Sequence, residues 1–395
     1  MSGTTSTLVL DQIQKLETDH QLALYAKRDI ALVRGEGSYL YDTDGKRYLD
    51  AMSNYGVAIL GHADAEYAAA MAEQLRTLTT CHQSFYNDAR AEALAAVDAI
   101  LPHHLTRSFF SNSGTEAIEA ALKFAIASTG RQKIVAAKKG YHGRTLGALS
   151  ATFEPKYRAP FEPLPLPAVH GAFNDIEALT ALVDDATAAI ILEPVQGEGG
   201  IHPADVAYLQ AARALADAHG ALLIADEIQC GFRTGTPFVI TEAGVQPDIL
   251  VTAKALGNGF PIGLTAVTEA VSAKIPASAH GTTFGANPLA CRAAVVTLTA
   301  IRERGLYEHS AKLGPVLMQK IEAIGSPKIR QVRGRGFMIG VEMKERVTGV
   351  LRGLQERGVL ALPATPVVFR LLPPLIWGEE QIDEFVTALS DTLSA

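Results

Sequence analysis

Two ionisable residues stand where a charge is costly. Asp226 directly follows the apolar run Ala-Leu-Leu-Ile-Ala, and Lys254 follows Ile249 to Ala253. A buried carboxylate without a partner is destabilising. A buried lysine is readily tuned toward a neutral, nucleophilic amine. Together they suggest a site where an amine reacts beside a fixed negative charge.

Other reactive groups follow apolar runs in the same way. Phe109-Phe110 leads into Ser111-Asn112-Ser113-Gly114-Thr115, and Ile134 to Ala137 leads toward Gly140-Tyr141-His142-Gly143-Arg144. Ile190 to Leu192 precedes Glu193-Pro194-Val195-Gln196-Gly197-Glu198-Gly199-Gly200, and Asp226 itself opens Asp226-Glu227-Ile228-Gln229. Ligands of an open parallel sheet bind beyond the carboxyl ends of its strands. Five such ends imply one site along one sheet edge.

Each piece also has a plainer reading. Ser113 and Glu116 have the spacing of a capping box, which needs no ligand. The same Ser-Gly-Thr stretch bares backbone N–H groups that suit a phosphate, and spacing alone does not choose. Tyr141 also reads as a rim aromatic, Arg144 as a surface charge, and Gly197 to Gly200 as a loop.

The elements that must position these groups alternate in type. Strand candidates are Ser108 to Ser111, Ile134 to Ala137, Ala188 to Leu192, Ala221 to Ala225 and Ile249 to Thr252. Helical patterns cover Thr115 to Ser128 and Ala204 to His219. This alternation predicts an α/β fold with a mainly parallel central sheet and helices on both faces. Beyond about residue 290, helices at Leu289 to Arg304 and Ala311 to Ile324 precede strands at Phe337 to Glu342 and Val367 to Leu371 and a last helix from Glu379. That pattern predicts a smaller α+β lobe. Short strands at Ile30 to Val33 and Tyr39 to Tyr41, with a turn signal at Asp42-Thr43-Asp44-Gly45, mark the first fifty residues. The expected division is an N-terminal segment 1–50 packing with the small lobe, a large domain 51–290 and a C-terminal domain 291–395.

Composition narrows the class. The 395 residues are 48% hydrophobic and 19% charged, which suits a large globular core and excludes disorder or coiled coil as descriptions of the whole. A net charge of -7 argues against a chain built to hold nucleic acid. Cys81, Cys230 and Cys291 are dispersed, so neither a disulfide framework nor a metal site is expected. The stretch MSGTTSTLVLDQIQ has no basic region or long apolar run, so no secretory leader is expected, nor a membrane span; the expected location is cytoplasmic. Gly257, Gly259 and Gly263 loosely imitate a dinucleotide loop, but no helix clearly opens there. His103-His104 reads as a surface loop.

As a set, these stretches resemble the class III (ω-amino) aminotransferases, pyridoxal phosphate (PLP) enzymes of fold type I. The resemblance rests on Ser113 to Ala117, Tyr141 to Thr145, Glu193 to Gly200, Asp226 to Gln229, Lys254 and Gly281 to Pro288, in order along nearly the whole chain. It implies that Lys254 holds PLP covalently and moves a proton, while Asp226 keeps the pyridine nitrogen protonated. It implies Ser113, Gly114 and Thr115 on the phosphate, and Gln229 on the ring hydroxyl. Tyr141 would stack on the ring, and Glu193 would support the Asp226 and Gln229 side. Thr283 would reach the phosphate of a neighbouring subunit, making a homodimer with shared sites. Arg370 would grip the α-carboxylate of glutamate, Glu198 would mask it in turn, and Arg144 would take a distal carboxylate. One departure is visible, since Cys230-Gly231-Phe232-Arg233-Thr234-Gly235 is one residue shorter than the family's usual loop.

Within that family the chain resembles the acetylornithine group. Tyr55 to His62, Ser326 to Gly334 and Val359 to Leu362 resemble a branch acting in lysine biosynthesis on substrates carried by an acidic amino-group carrier protein, LysW. The implied reaction exchanges an amino group between glutamate/2-oxoglutarate and carrier-linked aminoadipate semialdehyde. Acetylornithine transamination, service in both pathways, and a different PLP reaction such as an aminomutase are the alternatives. An acidic carrier would want a basic site mouth, for which Lys138, Lys139, Lys156 and Arg158 are candidates.

Overall fold

The computed structural model describes residues 8–395, so the first seven residues of the stretch read above for a leader lie outside it. Its centre is a seven-stranded sheet. The strands are β1 (Arg107–Ser111), β2 (Lys133–Ala137), β3 (Ala168–Gly171), β4 (Thr187–Leu192), β5 (Leu222–Asp226), β6 (Ile249–Thr252) and β7 (Gly263–Val267). Their spatial order is β1-β7-β6-β5-β4-β2-β3. Only β7 runs against the others, pairing antiparallel with both β6 and β1.

The central strands β2, β4, β5 and β6 are mostly apolar because both faces are covered. Alternate residues go to opposite sides: Val135, Ile190, Leu223 and Leu250 join one core, and Ile134, Ile191, Ile224 and Val251 join another. Helix α1 (Gly114–Thr129) covers the second face through Ala117, Ala120, Ala121 and Ala125. These small side chains let it lie close enough for Thr265 of β7 to donate to the Ala117 carbonyl at 2.9 Å. Helix α2 (Val206–His219) covers the other face through Tyr208, Leu209, Ala212 and Ala216.

Strands β3 and β7 lie outside the five central strands expected from the sequence. β7 directly follows a glycine-rich stretch, and β3 carries His170 within four residues, so neither stands out as an apolar run. The parallel sense, the two covered faces and the five anticipated strands agree with the expectation.

Three smaller sheets accompany the central one, one of them the two-stranded pair Val195–Gln196 and His202–Pro203. Leu32–Glu36, Tyr39–Asp42 and Arg47–Asp50 form an antiparallel sheet, extended by Val359–Leu360 pairing parallel with Arg47–Asp50. Strands Ile329–Arg335, Met338–Met343, Val368–Leu371 and Leu362–Thr365 form another, in that order. Among the described residues no helix is long and apolar enough to cross a membrane.

Candidate active site

The carboxyl ends of β1, β2, β4, β5 and β6 lie along one edge of the sheet, and the reactive groups gather there. Asp226 closes β5 and is 3% exposed. Its Oδ2 lies 2.7 Å from His142 Nδ1, and its Oδ1 accepts from the Ile228 N–H at 3.1 Å. Burial opposes a proton on His142, but the hydrogen bond and charge of Asp226, with Glu193 nearby, outweigh it and raise its pKa. The buried carboxylate therefore has a hydrogen-bonded partner whose protonation it favours. The sequence reading quoted His142 inside a motif without giving it a role; only its place beside Tyr141 could have signalled one.

Lys254 begins a 3-10 turn, Lys254–Gly257, immediately beyond β6. Its φ of 40° lies in the left-handed region, which costs about 1–3 kcal/mol for a residue with a Cβ. The side chain is half-buried, and its Nζ has no hydrogen bond or ion pair among the described residues. Burial lowers its pKa to about 8, against the opposing pull of Glu198 and with help from Arg370. The amine is therefore substantially neutral just above neutrality, where an ordinary lysine is charged. Its reductive trapping by a small aldehyde should rise as pH passes through about 8 and then level off, whereas unperturbed lysines keep rising to above about 10. Peptide mapping of the labelled chain across that range checks this.

Glu193 sits at the end of β4. Its two oxygens accept from the N–H groups of Tyr141 (2.9 Å) and Gly197 (3.1 Å). It thus ties the loop after β2 to the loop after β4, and holds backbone rather than the Asp226 and Gln229 side chains. Burial raises its pKa.

The loop Tyr141–Thr145 is fixed to the start of α1. Thr115 Oγ1 lies 2.9 Å from Thr145 Oγ1 and accepts from the Arg144 N–H at 3.2 Å. Gly143 has φ +140°, and a Cβ there would meet Thr115 Oγ1 at 2.2 Å, so only glycine permits this approach. Ser113 caps α1 by accepting from the Glu116 N–H at 3.3 Å. Glu116 does not return to the Ser113 N–H as a capping box would, but accepts from the Asn112 N–H at 2.7 Å. The N–H groups of Gly114 and Thr115 have no acceptor among the described residues. An anion is the natural complement of such a helix start.

Arg370 is fully buried on strand Val368–Leu371. Its Nη1 donates to Gln229 Oε1 at 3.0 Å, and its Nη2 lies 2.7 Å from Glu198 Oε1. The Glu198 contact lacks the angle of a directed hydrogen bond, leaving Nη2 and Nε without hydrogen-bond acceptors. A buried guanidinium whose Nε has no acceptor and whose Nη2 faces only the partly exposed Glu198 is prepared for a carboxylate that displaces it. Glu198 lies on the loop of the hairpin Val195–Gln196/His202–Pro203 and is itself partly exposed. Arg144 is exposed, stacks 3.5 Å over the Tyr157 ring and donates from Nε to the Tyr141 hydroxyl at 3.2 Å.

Thr283 stands apart. It is exposed and makes no hydrogen bond to the other residues above, whereas its neighbour Thr282 accepts from Asn112 Nδ2 at 3.1 Å.

Comparison with known proteins places this geometry among relatives. The chain matches the family described as aminotransferase class-III over residues 24–393. It is 46% identical over 382 residues to the [LysW]-aminoadipate semialdehyde transaminase of Deinococcus radiodurans, covering 96% of this chain and 89% of that protein. It is 41% identical over 378 residues to the acetylornithine aminotransferase of Archaeoglobus fulgidus, covering 95% and 99%. The ornithine aminotransferase of Toxoplasma gondii, crystallised with partial PLP in its active site, superposes with a TM-score of 0.92 at 28% identity, covering 98% of this chain and 94% of that one.

Proposed function

Because the chain belongs to the class III aminotransferases, we propose that it moves an amino group between glutamate/2-oxoglutarate and the terminal aldehyde of aminoadipate semialdehyde borne on an amino-group carrier protein. The observation that carries this reading is the buried Arg370 with its loosely held partner Glu198, in a site that also contains Lys254. Two different substrates must use one pocket. Glutamate presents an α-carboxylate, which needs Arg370 free. The second substrate presents a neutral chain, beside which an unpaired buried cation would be costly. Glu198 serves both by leaving and returning.

The residues fit pyridoxal phosphate. The unpaired Lys254 amine suits its aldehyde, the free N–H groups of Gly114 and Thr115 suit its phosphate, and the paired Asp226 suits a protonated ring nitrogen. When bound, PLP supplies an electrophilic carbon for the amine and a ring able to hold an electron pair. Lys254 would hold the cofactor through its aldehyde, and its amine is the group placed to take and return the proton at the substrate carbon. Asp226 would hold the ring nitrogen, and His142 keeps that carboxylate oriented. Tyr141 would cover the cofactor ring, and the amide nitrogen of Gln229, unused by its bond to Arg370, would be available to the ring hydroxyl. Ser113 places the helix N–H groups by capping α1. Arg144 takes a distal carboxylate.

Removing the switch should separate the substrates. Glu198→Ala is expected to lower the KM for glutamate and to reduce kcat/KM for the neutral-chain substrate about tenfold, a shift of about 1.4 kcal/mol. Half-reaction kinetics with each substrate alone check it.

A second copy of the chain completes the site in this reading. Phe85, Tyr86 and Phe284 are strongly exposed. Their segments are tied together where Gln83 donates to the Gly285 carbonyl and Arg90 to that of Ala286. Such an apolar patch suits a partner subunit, with Thr283 at its centre reaching the neighbouring phosphate. The pairing of Arg47–Asp50 with Val359–Leu360 supports packing of the N-terminal segment with the C-terminal lobe, while the helix Pro288–Glu303 runs across the expected 290/291 boundary. Lys138, Lys139 and Lys156 are exposed near Arg144 and the Glu198 loop, and form the basic mouth for an acidic carrier in the cytoplasm. Arg158 is half-buried toward Glu162 and contributes less.

The A. fulgidus relative favours a second substrate, N-acetylornithine. Spectroscopy of single half-reactions decides between them. Glutamate, N-acetylornithine and carrier-linked lysine are each mixed with the PLP-loaded protein. Faster reaction with carrier-linked lysine is the expected result, faster reaction with N-acetylornithine transfers the protein to that substrate, and no reaction with any of them removes the transaminase reading.

A further inference from the structure

The segment after strand Arg47–Asp50 takes a conformation that L-residues avoid. Ser53, Asn54 and Tyr55 have φ of 36°, 51° and 62°, and Gly56 follows at 87°. Consecutive left-handed residues other than glycine are costly, and such strain persists only where the surroundings impose it. The turn presents Tyr55 to the site, its ring 5.2 Å from the Arg370 guanidinium. That is within cation–π range.

Several groups impose the turn. Asp50 Oδ1 accepts from the N–H groups of Met52 (3.0 Å) and Ser53 (2.9 Å). Ser53 Oγ donates to the Leu372 carbonyl at 2.6 Å. Beneath lies Arg233, fully buried and without a carboxylate in hydrogen-bond contact. Its Nη1 donates to the carbonyls of Phe337 (3.1 Å) and Pro373 (3.3 Å), and its Nη2 donates to Ser53 Oγ at 3.4 Å. A Cβ on Gly56 would lie 3.2 Å from the guanidinium, so turn and arginine are in close contact.

Burying a guanidinium is expensive even with the charge of Asp50 nearby, and an apolar side chain of similar volume would fill the space without that cost. What the arginine adds is connection. Its acceptors lie on the strained turn, on the chain just beyond Arg370, and at the head of strand Met338–Met343. In that strand Gly340 pairs directly with Arg370.

We propose that Arg233 is a positioning residue for the carboxylate site. By joining the Ser53–Gly56 turn to the strand that carries Arg370, it holds Tyr55 against the Arg370 guanidinium and so sets the affinity for the α-carboxylate donor without touching it. The proposal rests on the role given above to Arg370. Its loss weakens the glutamate half of the reaction and spares the half in which Glu198 covers Arg370.

The test uses the PLP-loaded enzyme with Arg233→Met, Arg233→Lys, Ser53→Ala and, as comparator, Arg370→Ala. Calorimetry measures binding of glutarate, an unreactive dicarboxylate, and half-reaction kinetics use glutamate and N-acetylornithine. Arg233→Met is expected to weaken glutarate binding and raise the glutamate KM about tenfold, with kcat/KM for N-acetylornithine held within about twofold. Ser53→Ala should shift the same quantities less, and Arg233→Lys should recover part of the loss. Should Arg233→Met not fold, Ser53→Ala and Arg233→Lys carry the test through the same selective shift. Equal losses on both half-reactions, or no selective shift in the folded variants while Arg370→Ala weakens glutarate, overturn the proposal alone. Unchanged glutarate binding in Arg370→Ala overturns the role of Arg370, and this proposal with it.

Discussion

Replacing Lys254 with alanine is expected to slow transamination about 10³-fold or more, the scale on which a positioned proton-transfer group acts. No other amine described above stands ready to substitute: Lys138, Lys139 and Lys156 are exposed, whereas Lys254 is held in the site by a left-handed turn. Its pKa of about 8 also matters, because a fully charged ammonium could neither bond to an aldehyde nor accept a proton. The check is stopped-flow absorbance of the PLP-loaded variant mixed with glutamate. Partial recovery on adding small soluble amines would locate the loss at the missing Nζ. Unimpaired turnover would remove every transaminase reading at once.

Asp226→Ala should lower the rate about 10²–10³-fold, the usual scale for losing a preorganised electrostatic partner. It should also destabilise the fold by about 3 kcal/mol, since it leaves His142 buried beside a missing charge. The pair is almost wholly enclosed, with side chains 1% and 3% exposed, so solvent cannot compensate. Asp226→Asn separates the two effects. It preserves shape and a hydrogen-bonding oxygen, so thermal stability should fall less than in Asp226→Ala while the rate remains depressed. Equal rates in wild type and Asp226→Asn would show that the negative charge has no part in the reaction.

Much of the large domain was legible because burial leaves a simple record. Strands β2, β4, β5 and β6 are apolar runs of four to six residues, and the polar groups beyond them are conspicuous by contrast. Asp226 and Lys254 could be singled out for that reason alone. Three features were not legible. Strand β7 emerges directly from glycine-rich sequence, and the four-residue β3 is interrupted by His170. The role of Glu193 depends on which loops approach in space, and sequence order does not report that its oxygens meet Tyr141 and Gly197. His142 and Arg233 carry no periodic signal, since each matters through a partner distant along the chain, Asp226 in one case and Ser53 with Pro373 in the other. The Arg370–Glu198 pair was reached through family resemblance, and spacing would not have found it.

The reversed direction of β7 has a consequence for Lys254. A chain leaving β6 in an all-parallel sheet would have to travel to the far edge before re-entering. Here it re-enters at once, with Gly263 set opposite Ser111 and Leu264 opposite Thr252. The lysine therefore rides on a short connection whose two legs are interior strands, each hydrogen-bonded on both sides. Local fluctuations that free a surface loop cannot release it, because both anchors belong to the most cooperative part of the molecule. Amide exchange in β6 and β7 should then proceed only through global opening, and the reactive amine should keep its place for as long as the domain remains folded.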